Sequence, residues 1–400
     1  MEEEYFHGIS LKNLYETEEG AKIQTCIQCG ICAGTCPHGE YMVYTPRKLI
    51  AMLRADLIDE VIESDSLVKC VACYSCMTKC PRGIKLTELL LPLIKEKTFE
   101  NLKELPAELQ KSLENTLRYG NPLGDSPRKR AKWTEQTKVP IRILQKDPGP
   151  VDVLWIVECY TSFYPRGIDN TLATARMFHR LGINFAILGQ EERCIGECAR
   201  MFGEVGLFDT LTEQNMNIFH KYEFNEIVTS GAHAYDSFKY QYPIVGFSYP
   251  TDHTMMYLHS HLPKIKEFLT KELDHTVTYH DSCCLGKHNG FYLEPRELLT
   301  AIQGIKMVEM AHTMDNALCC GGGGGGMWLD TYYKEQGMER LSDKRVKEAV
   351  ATGADVLAIS CPYEISRFED SVKVLGYEDQ IVVRDIVELL DESAGGEDTI

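Results

Sequence analysis

The sequence predicts a multidomain protein of mixed α+β and α/β class: a small helical domain followed by two copies of an α/β domain with small parallel sheets. Three observations predict it. The first part of the 400-residue chain carries two similar runs of four cysteines. A charged stretch with several prolines and glycines follows, and the remainder repeats one order of strands, helices and cysteines. A chain of this length is expected to form two or three domains, each with its own core.

The domain boundaries follow from these changes in composition. We predict a helical domain over residues 1–98, a linker over 99–150, a first α/β domain over 151–262 and a second over 263–400. The linker contains GNPLGDSPRKRAKW and ends in KDPGP, both typical of irregular structure. We interpret its short basic run, PRKRAK, as a solvated face rather than a docking patch.

Composition excludes several classes of protein. The net charge of -17 argues against a nucleic-acid partner, because phosphate binding needs a basic surface. No run of about 18 apolar residues predicts a membrane span, and the N-terminal residues do not resemble a secretory signal. We therefore expect a cytoplasmic protein, at most peripheral to a membrane complex. In that reducing compartment sixteen closely spaced cysteines favour metal binding over disulfides.

Both N-terminal cysteine runs have the spacing C-x2-C-x2-C-x3-C-P, which is typical of bacterial ferredoxins with 4Fe-4S clusters. Three thiolates two residues apart wrap one cluster, and the fourth, redirected by proline, reaches the other. Four thiolates in this order disfavour a zinc site. The sequence therefore predicts two cubane clusters, one held by Cys26, Cys29, Cys32 and Cys80, the other by Cys70, Cys73, Cys76 and Cys36.

A helix is predicted between the two runs. Thr45 is its expected N-cap and Pro46 its first residue. Apolar residues then recur at helical spacing and are expected to be core: Leu49, Ile50, Leu53, Leu57 and Ile58.

The two α/β copies align on their cysteines. The first copy carries Cys159, Cys194 and Cys198, and the second carries Cys283, Cys284, Cys319, Cys320 and Cys361. The alignment sets Cys159 against Cys283, Cys194 against Cys319, Ile195 against Cys320, Gly231 against Cys361 and Ala234 against Glu364. All follow predicted strands, and parallel sheets bind ligands beyond the carboxyl ends of their strands. The second copy therefore keeps a thiol site that the first has largely lost.

Six glycines, Gly321 to Gly326, directly follow the pair Cys319 and Cys320. Adjacent thiolates can both bind one cluster only if the backbone turns sharply, which glycine allows. Gly321, Gly322 and Gly323 would also present amides to cluster sulfurs. A flexible linker is the alternative, disfavoured because a helical pattern follows at once. The formal GxGxxG match carries no weight in a glycine run, so nucleotide binding is unsupported.

With these motifs, the chain resembles the heterodisulfide reductase family. The N-terminal part looks like the small dicluster ferredoxin-type subunit and the rest like the subunit with two cysteine-rich CCG domains. HDSCCLGKHNGFYLEPRELL and EMAHTMDNALCCGGGGGGMW also resemble iron-sulfur oxidoreductases linked to electron-transfer flavoproteins, and subunits of sulfite- or benzoyl-CoA-reducing complexes.

The resemblance implies a third cluster in the second copy, which in complete CCG domains is a non-cubane 4Fe-4S cluster on five cysteines. Cys283, Cys319, Cys320 and Cys361 match that set, whereas Glu364 stands at the fifth position. Glu364 or Cys284 could complete the set, or the cluster could be an ordinary cubane. Cys319 and Cys320 would be the catalytic positions, with His280 as proton donor or supporting residue.

The first copy departs further from the family pattern. It has CIG in place of CCG and GAHA in place of the final pair. Cys159, Cys194 and Cys198, with His233, could still hold a metal.

The resemblance implies an iron-sulfur electron-transfer subunit of an anaerobic oxidoreductase complex, whose clusters lead to a site that reduces a disulfide. The alternative is a non-catalytic relay between a flavin or hydrogenase module and a quinone, sulfite or acyl-CoA reductase. Either role implies partner subunits, such as a flavoprotein, hydrogenase or ferredoxin-type donor. The first role adds a disulfide or thiol substrate.

Overall fold

The computed structural model describes residues 14–102 and 104–396, with two parallel sheets and a helical N-terminal region. The chain divides into two compact units. The described part of the first unit comprises residues up to 110 together with 196–209 and 321–341. The second comprises 111–195, 210–320 and 342 onward.

The first unit is built from short helices around an aliphatic core that includes Leu49, Ile50, Leu53 and Ile94. Its principal α-helices are Pro46–Arg54 and Leu91–Asn101, with shorter ones at Glu18–Ala21, Ile31–Gly34, Asp59–Ile62, Ser75–Thr78, Glu197–Phe202 and Asp330–Glu335. The helix Ala107–Tyr119 begins in this unit and continues into the second.

The helix predicted between the cysteine runs is present but shorter than its apolar spacing indicates. It begins at Pro46 after Thr45, as expected, and ends at Arg54. Asp56, just beyond it, has a positive φ of 57°, which redirects the chain. Leu57 is consequently 42% exposed and does not belong to the core, contrary to our expectation.

The second unit contains both α/β copies. The first sheet has strands β1 to β5: Arg142–Ile143, Val151–Ile156, Phe185–Ile187, Phe224–Thr229 and Thr251–His253. The second has β6 to β9: His275–Tyr279, Ile305–Met307, Val356–Ile359 and Val382–Asp385. All pairings are parallel, in the orders β1-β3-β2-β4-β5 and β7-β6-β8-β9. Apart from β1 the two orders are the same, so the duplicated fold predicted from the sequence is confirmed.

Helices cover these sheets. In the first copy the α-helices are Cys159–Phe163, Pro165–Leu181, Val205–Phe219, Ala232–Asp236, Thr254–Ser260 and Leu262–Ile265; Val205–Phe219 begins in the first unit. In the second copy they are Leu293–Thr300, Leu341–Ala351, Pro362–Leu375 and Ile386–Ser393; Leu341, the first residue of its helix, falls in the first unit. Trp155, Phe178, Leu298 and Leu389 lie in one continuous core that both copies share. No helix among the described residues has the length and apolar character needed to cross a bilayer.

Two findings differ from the predicted boundaries. The stretch assigned as a linker is largely ordered: β1 pairs with β3, and Trp133 is fully buried. Within the basic run predicted to be a solvated face, Arg130 is buried. In addition, segments 196–209 and 321–341 pack with the N-terminal residues rather than with the copies that contain them in sequence. Sequence periodicity does not report these long-range contacts.

Candidate iron-sulfur sites

The first three cysteines of the first run and the last cysteine of the second run line one pocket. Cys26, Cys29, Cys32 and Cys80 all contribute to it, and Cys76 lines it as well. Burial raises the pKa of Cys32 to about 11, and the nearby thiols of Cys26, Cys80 and Cys29 add to the shift. Bringing several thiolates together without a cation is unfavourable, so this donor set fits a metal cluster.

The first three cysteines of the second run form a matching pocket with Cys36. Its lining includes Cys36, Cys70, Cys73 and Cys76. Burial, followed by the Cys73 and Cys70 thiols, raises the pKa of Cys36. The structure thus brings together each of the two four-cysteine sets that the spacing predicts, and these residues fit two cubane clusters.

Both runs reach this geometry through the same backbone conformations. Gln28 and Ala72, two residues after the first cysteine of each run, have positive φ, and so do Gly30 and Tyr74, four residues after it. One-turn helices follow, Ile31–Gly34 and Ser75–Thr78. A left-handed residue directly before a right-handed helical turn, as at Gly30 and Tyr74, turns successive N–H groups toward one side, which favours an anionic group there. Tyr74 adopts a conformation that its side chain disfavours and that Gly30 adopts freely.

A buried lysine lies beside the second of the two four-cysteine pockets, which we call the first and second cradles. Lys95 is 2% exposed, and its Nζ donates to the carbonyl oxygens of Cys70 and Met201, each at 2.8 Å. Burial lowers its pKa. Phe202 also packs edge-on against Phe99, with ring centroids 5.8 Å apart. Segment 196–209 is therefore attached to the helix Leu91–Asn101 beside this cluster position.

The glycine run packs closely against the same cradle. A Cβ at Gly324, where φ is +59°, would collide with the Cys70 carbonyl oxygen. One at Gly325 would lie 2.9 Å from the ring of Phe202. Residues Gly323 to Gly326 are buried, and the 3-10 helix Gly326–Trp328 follows. Close backbone approach explains why glycine is needed here, and a flexible linker does not fit.

In the second copy, five thiols come together at the carboxyl end of the sheet. Cys283, Cys284, Cys319, Cys320 and Cys361 are all buried. Hydrogen bonds with the thiols of Cys284 and Cys319 lower the pKa of Cys283. A hydrogen bond with Cys319 is likewise the main cause that lowers the pKa of Cys320 to about 6. We call these thiols and Glu364 the second-copy site.

Glu364 points into this site. Its carboxyl is 3% exposed, and Oε2 has no hydrogen-bond partner among the described residues. Burial is the main cause that raises its pKa. Ligand atoms of Glu364, Cys320 and His280 lie within 4.8 Å of one another. A buried carboxylate oxygen without a partner costs free energy unless a cation or a donor meets it, so the donor set fits a cluster here.

His280 lies beside the site in a fixed tautomer. Arg345 donates from Nε to His280 Nδ1 at 3.0 Å, which leaves the proton on Nε2. Nε2 lies 3.3 Å from Glu364 Oε1. Burial lowers the imidazole pKa, so the ring is neutral. His280 is therefore a hydrogen-bond donor to the site, and neither of its ring nitrogens has a free lone pair with which to bind a metal.

Strand register agrees with the alignment of the two copies. Trp155 pairs with Val228 in the first sheet, and Tyr279 pairs with Ala358 in the second. The Trp155 indole donates to Ser230 Oγ at 3.0 Å, and the Tyr279 hydroxyl lies 2.8 Å from Ser360 Oγ. Cys159 and Cys283 then occupy equivalent positions, as do Gly231 and Cys361.

The first copy retains two thiols, and a buried arginine faces them. Arg130 Nη2 donates to Cys159 Sγ at 3.3 Å, and Nη1 donates to Glu192 Oε1 at 2.7 Å. Hydrogen bonding with Cys194, together with Arg130, lowers the pKa of Cys159 to about 7 despite its burial. The guanidinium supplies the positive charge that a metal would otherwise bring.

A carboxylate occupies the place of the missing thiol. Glu158 Oε1 accepts from the Thr229 hydroxyl at 2.6 Å and from the backbone N–H of Gly231. A Cβ at Gly231 would collide with this carboxylate. Gly231 is the position equivalent to Cys361, so no cysteine fits there while Glu158 is present. These residues do not fit an iron-sulfur cluster.

The other two residues predicted for this metal site have different surroundings. Cys198 belongs to the first unit, where its half-buried thiol accepts hydrogen bonds from Trp328 and the Gly325 backbone. His233 Nδ1 lies 3.3 Å from Cys284 Sγ and thus adjoins the second-copy site. Sequence reasoning missed Arg130, Glu158 and Lys95, because no local motif marks a residue whose role depends on distant partners.

Comparison with known families agrees with this geometry. A 4Fe-4S dicluster domain matches residues 22–84, and the cysteine-rich domain named CCG matches residues 153–234 and 277–363. Two 4Fe-4S clusters and a further iron-sulfur site in the second copy are thus supported.

Curated relatives lie among iron-sulfur oxidoreductases. The chain is 32% identical over 346 residues to the probable iron-sulfur-binding oxidoreductase FadF of Bacillus subtilis, covering 86% of this chain and 48% of the relative. It is 30% identical to the EtfAB:quinone oxidoreductase of Syntrophomonas wolfei, covering 84% and 48%. It therefore spans about half the length of these two.

A third relative matches over nearly its whole length. The chain is 29% identical to one polypeptide of the dihydromethanophenazine:CoB--CoM heterodisulfide reductase of Methanosarcina mazei, covering 97% of this chain and 98% of that polypeptide. The chain thus combines a 4Fe-4S dicluster domain with two cysteine-rich CCG domains and is similar to heterodisulfide reductase-like iron-sulfur proteins.

Proposed function

We propose that this subunit passes electrons from its two dicluster-domain clusters to the second-copy site and that a substrate disulfide is reduced there. The ligands would be Cys26, Cys29, Cys32 and Cys80 for one cubane and Cys36, Cys70, Cys73 and Cys76 for the other. The five thiols of the second-copy site would hold the third cluster.

One observation carries the proposal: the buried thiols of the second-copy site lie beside a donor of protons. Reduction of a disulfide to two thiols consumes two electrons and two protons. When bound, the clusters supply electrons one at a time, with potentials set by their surroundings. The chain itself must deliver the protons and hold the donors in place.

His280 and Glu364 are suited to that task. The Nε2 proton of His280 faces Glu364, and Arg345 fixes the ring by donating to Nδ1. The neutral imidazole can donate a hydrogen bond to a developing thiolate, while the carboxyl of Glu364, whose pKa is raised by burial, can hold the proton that the thiolate takes up. The positions of these groups therefore match the proton requirement of the reaction.

A second role is supported by a different observation. All five thiols of the second-copy site are buried within the chain, and the first copy retains only two thiols that lie together. A buried cluster suits a relay that passes electrons to a quinone, sulfite or acyl-CoA reductase in a partner. The names of the relatives fit either role.

Electron paramagnetic resonance on anaerobically purified, mildly oxidised protein separates the two. A new signal that appears only with added thiol is the result expected for a disulfide reductase. It should be lost in Cys320→Ala, while dithionite-reduced samples of the same variant keep the signals of the two dicluster-domain clusters. Spectra indifferent to thiol would overturn disulfide reduction at this site and leave the relay.

A further inference from the structure

One cysteine of the chain is exposed. All sixteen lie in the described residues, and of these Cys29 alone is exposed, whereas the others are half-buried or buried. The cluster that Cys29 is proposed to hold therefore lies nearest to solvent among the three. Electron transfer between proteins weakens steeply with distance, so this is the position where an exchange with another protein is fastest.

Apolar side chains flank Cys29 on the surface. Ile27 is 63% exposed and Ile31 is 42% exposed. Both lie between cysteines of the first run. Because those cysteines must face the cluster position, the two isoleucine side chains cannot turn inward. Exposed isoleucines next to a redox site, rimmed by polar residues, are typical of an interaction surface.

Three exposed arginines lie beside this run, although the whole chain carries a net charge of -17. Arg47 and Arg82 line the same pocket as Cys29, and both are exposed. Arg54, also exposed, donates to the Cys26 carbonyl oxygen at 2.8 Å, which holds its guanidinium beside the run. None of these three arginines forms an ion pair with another described residue. Their charge is therefore available to a partner.

We propose that Ile27, Cys29, Ile31, Arg47, Arg54 and Arg82 form the docking surface of an electron-transfer protein whose own contact face is acidic. We call it the Cys29 face. The inference rests on the proposed function, because it names the place where electrons enter the cluster held by Cys26, Cys29, Cys32 and Cys80. Charge complementarity with a small apolar centre suits a transient redox encounter, which the arginines would accelerate by steering.

The test reverses charge on the face and, as a matched control, elsewhere. In Arg47→Glu/Arg82→Glu two exposed cations of the face are reversed. In Lys266→Glu/Lys373→Glu two exposed lysines of the second unit are reversed, with the same change in net charge. The probe is a reduced acidic bacterial ferredoxin, and the readout is the second-order rate of cluster reduction by stopped-flow absorbance at several ionic strengths.

We expect the Arg47→Glu/Arg82→Glu protein to react about tenfold more slowly than wild type at low salt, with the difference shrinking as salt rises. The lysine control should stay within about twofold, and Arg47→Gln/Arg82→Gln should fall between. Photoreduced deazaflavin, a small uncharged donor, should reduce all proteins equally, which shows that the clusters are intact.

Equal slowing in both charge-reversed proteins, or none in either, would overturn the proposal. Unchanged ferredoxin rates together with binding to anionic vesicles that the arginine variants abolish would assign the face to a lipid surface instead. A thiol-dependent resonance signal with no effect of these variants would leave the proposed function standing and remove only the Cys29 face.

Discussion

Buried cations stand beside cysteine sites in both units. Lys95 lies next to Cys70, Arg130 next to Cys159, and Arg345 next to His280 at the second-copy site. Thiolates gathered in an apolar interior repel one another, and a fixed positive charge offsets that repulsion. At a redox site the same charge favours the more reduced state, because reduction adds negative charge.

Lys95→Met should therefore make the second cubane harder to reduce. We expect its potential to fall by on the order of 60 mV, equivalent to a tenfold change in a one-electron equilibrium. A redox titration followed by electron paramagnetic resonance measures it. Lys97→Met is the control, because Lys97 lies on the same helix but pairs with Glu100 at the surface. Equal potentials in the two variants would contradict the assignment.

Glu364→Cys tests the carboxylate of the second-copy site. If Glu364 is an oxygen ligand, a thiolate in its place should change the spectrum of the third cluster and leave the other two unaltered. Resonance and Mössbauer spectra before and after the change provide the measurement. An unchanged third spectrum would show that Glu364 binds no iron and that its unpartnered Oε2 has another cause.

At the scale of elements, the need for glycine in the run Gly321 to Gly326 comes from the close approach of its backbone to neighbouring residues. Gly324→Ala should destabilise the first unit, because a Cβ there collides with the Cys70 carbonyl oxygen at a positive φ. Gly337→Ala introduces a similar strain, at φ +68°, but meets nothing within 4 Å. The difference between the two variants isolates the collision.

We expect Gly337→Ala to cost about 1 kcal/mol and Gly324→Ala at least twice that, with loss of the second cubane. Thermal unfolding together with the visible absorbance of the clusters measures both effects. Similar losses in the two variants would mean that φ strain alone explains the glycines.

The two N-terminal cysteine sets and the duplicated α/β fold could be predicted from the sequence. The spacing around Cys26 and Cys70 is a local pattern, and the order of strands and helices repeats along the chain. Segment 321–341 could not be assigned to the N-terminal unit, since only the tertiary contact of Gly324 with Cys70 reveals it. Arg130 was misjudged for the same reason: its buried partners, Glu192 and Cys159, are distant in sequence.

At the scale of the whole molecule, the count of clusters follows from which donor sets are complete. The two cradles and the second-copy site have enough donors, whereas Glu158 and Arg130 fill the first copy. We expect about 12 iron atoms in each chain, four for each of three clusters. Cys361→Ala should reduce this to about 8, and Cys159→Ala/Cys194→Ala should leave it unchanged. Loss of iron in the last variant would show that the first copy holds metal.

The assignment of segments 196–209 and 321–341 to the N-terminal unit bears on how such a domain can exist alone. A polypeptide ending near residue 110 would lack Phe202, which packs against Phe99, and the Met201 carbonyl oxygen, to which Lys95 donates. The Lys95 ammonium and the Phe99 ring, both covered in the full chain, would then be exposed to water beside the second cradle. Separating the dicluster domain from the cysteine-rich domains, by gene fission or by expression as a fragment, therefore requires a substitute covering for that surface.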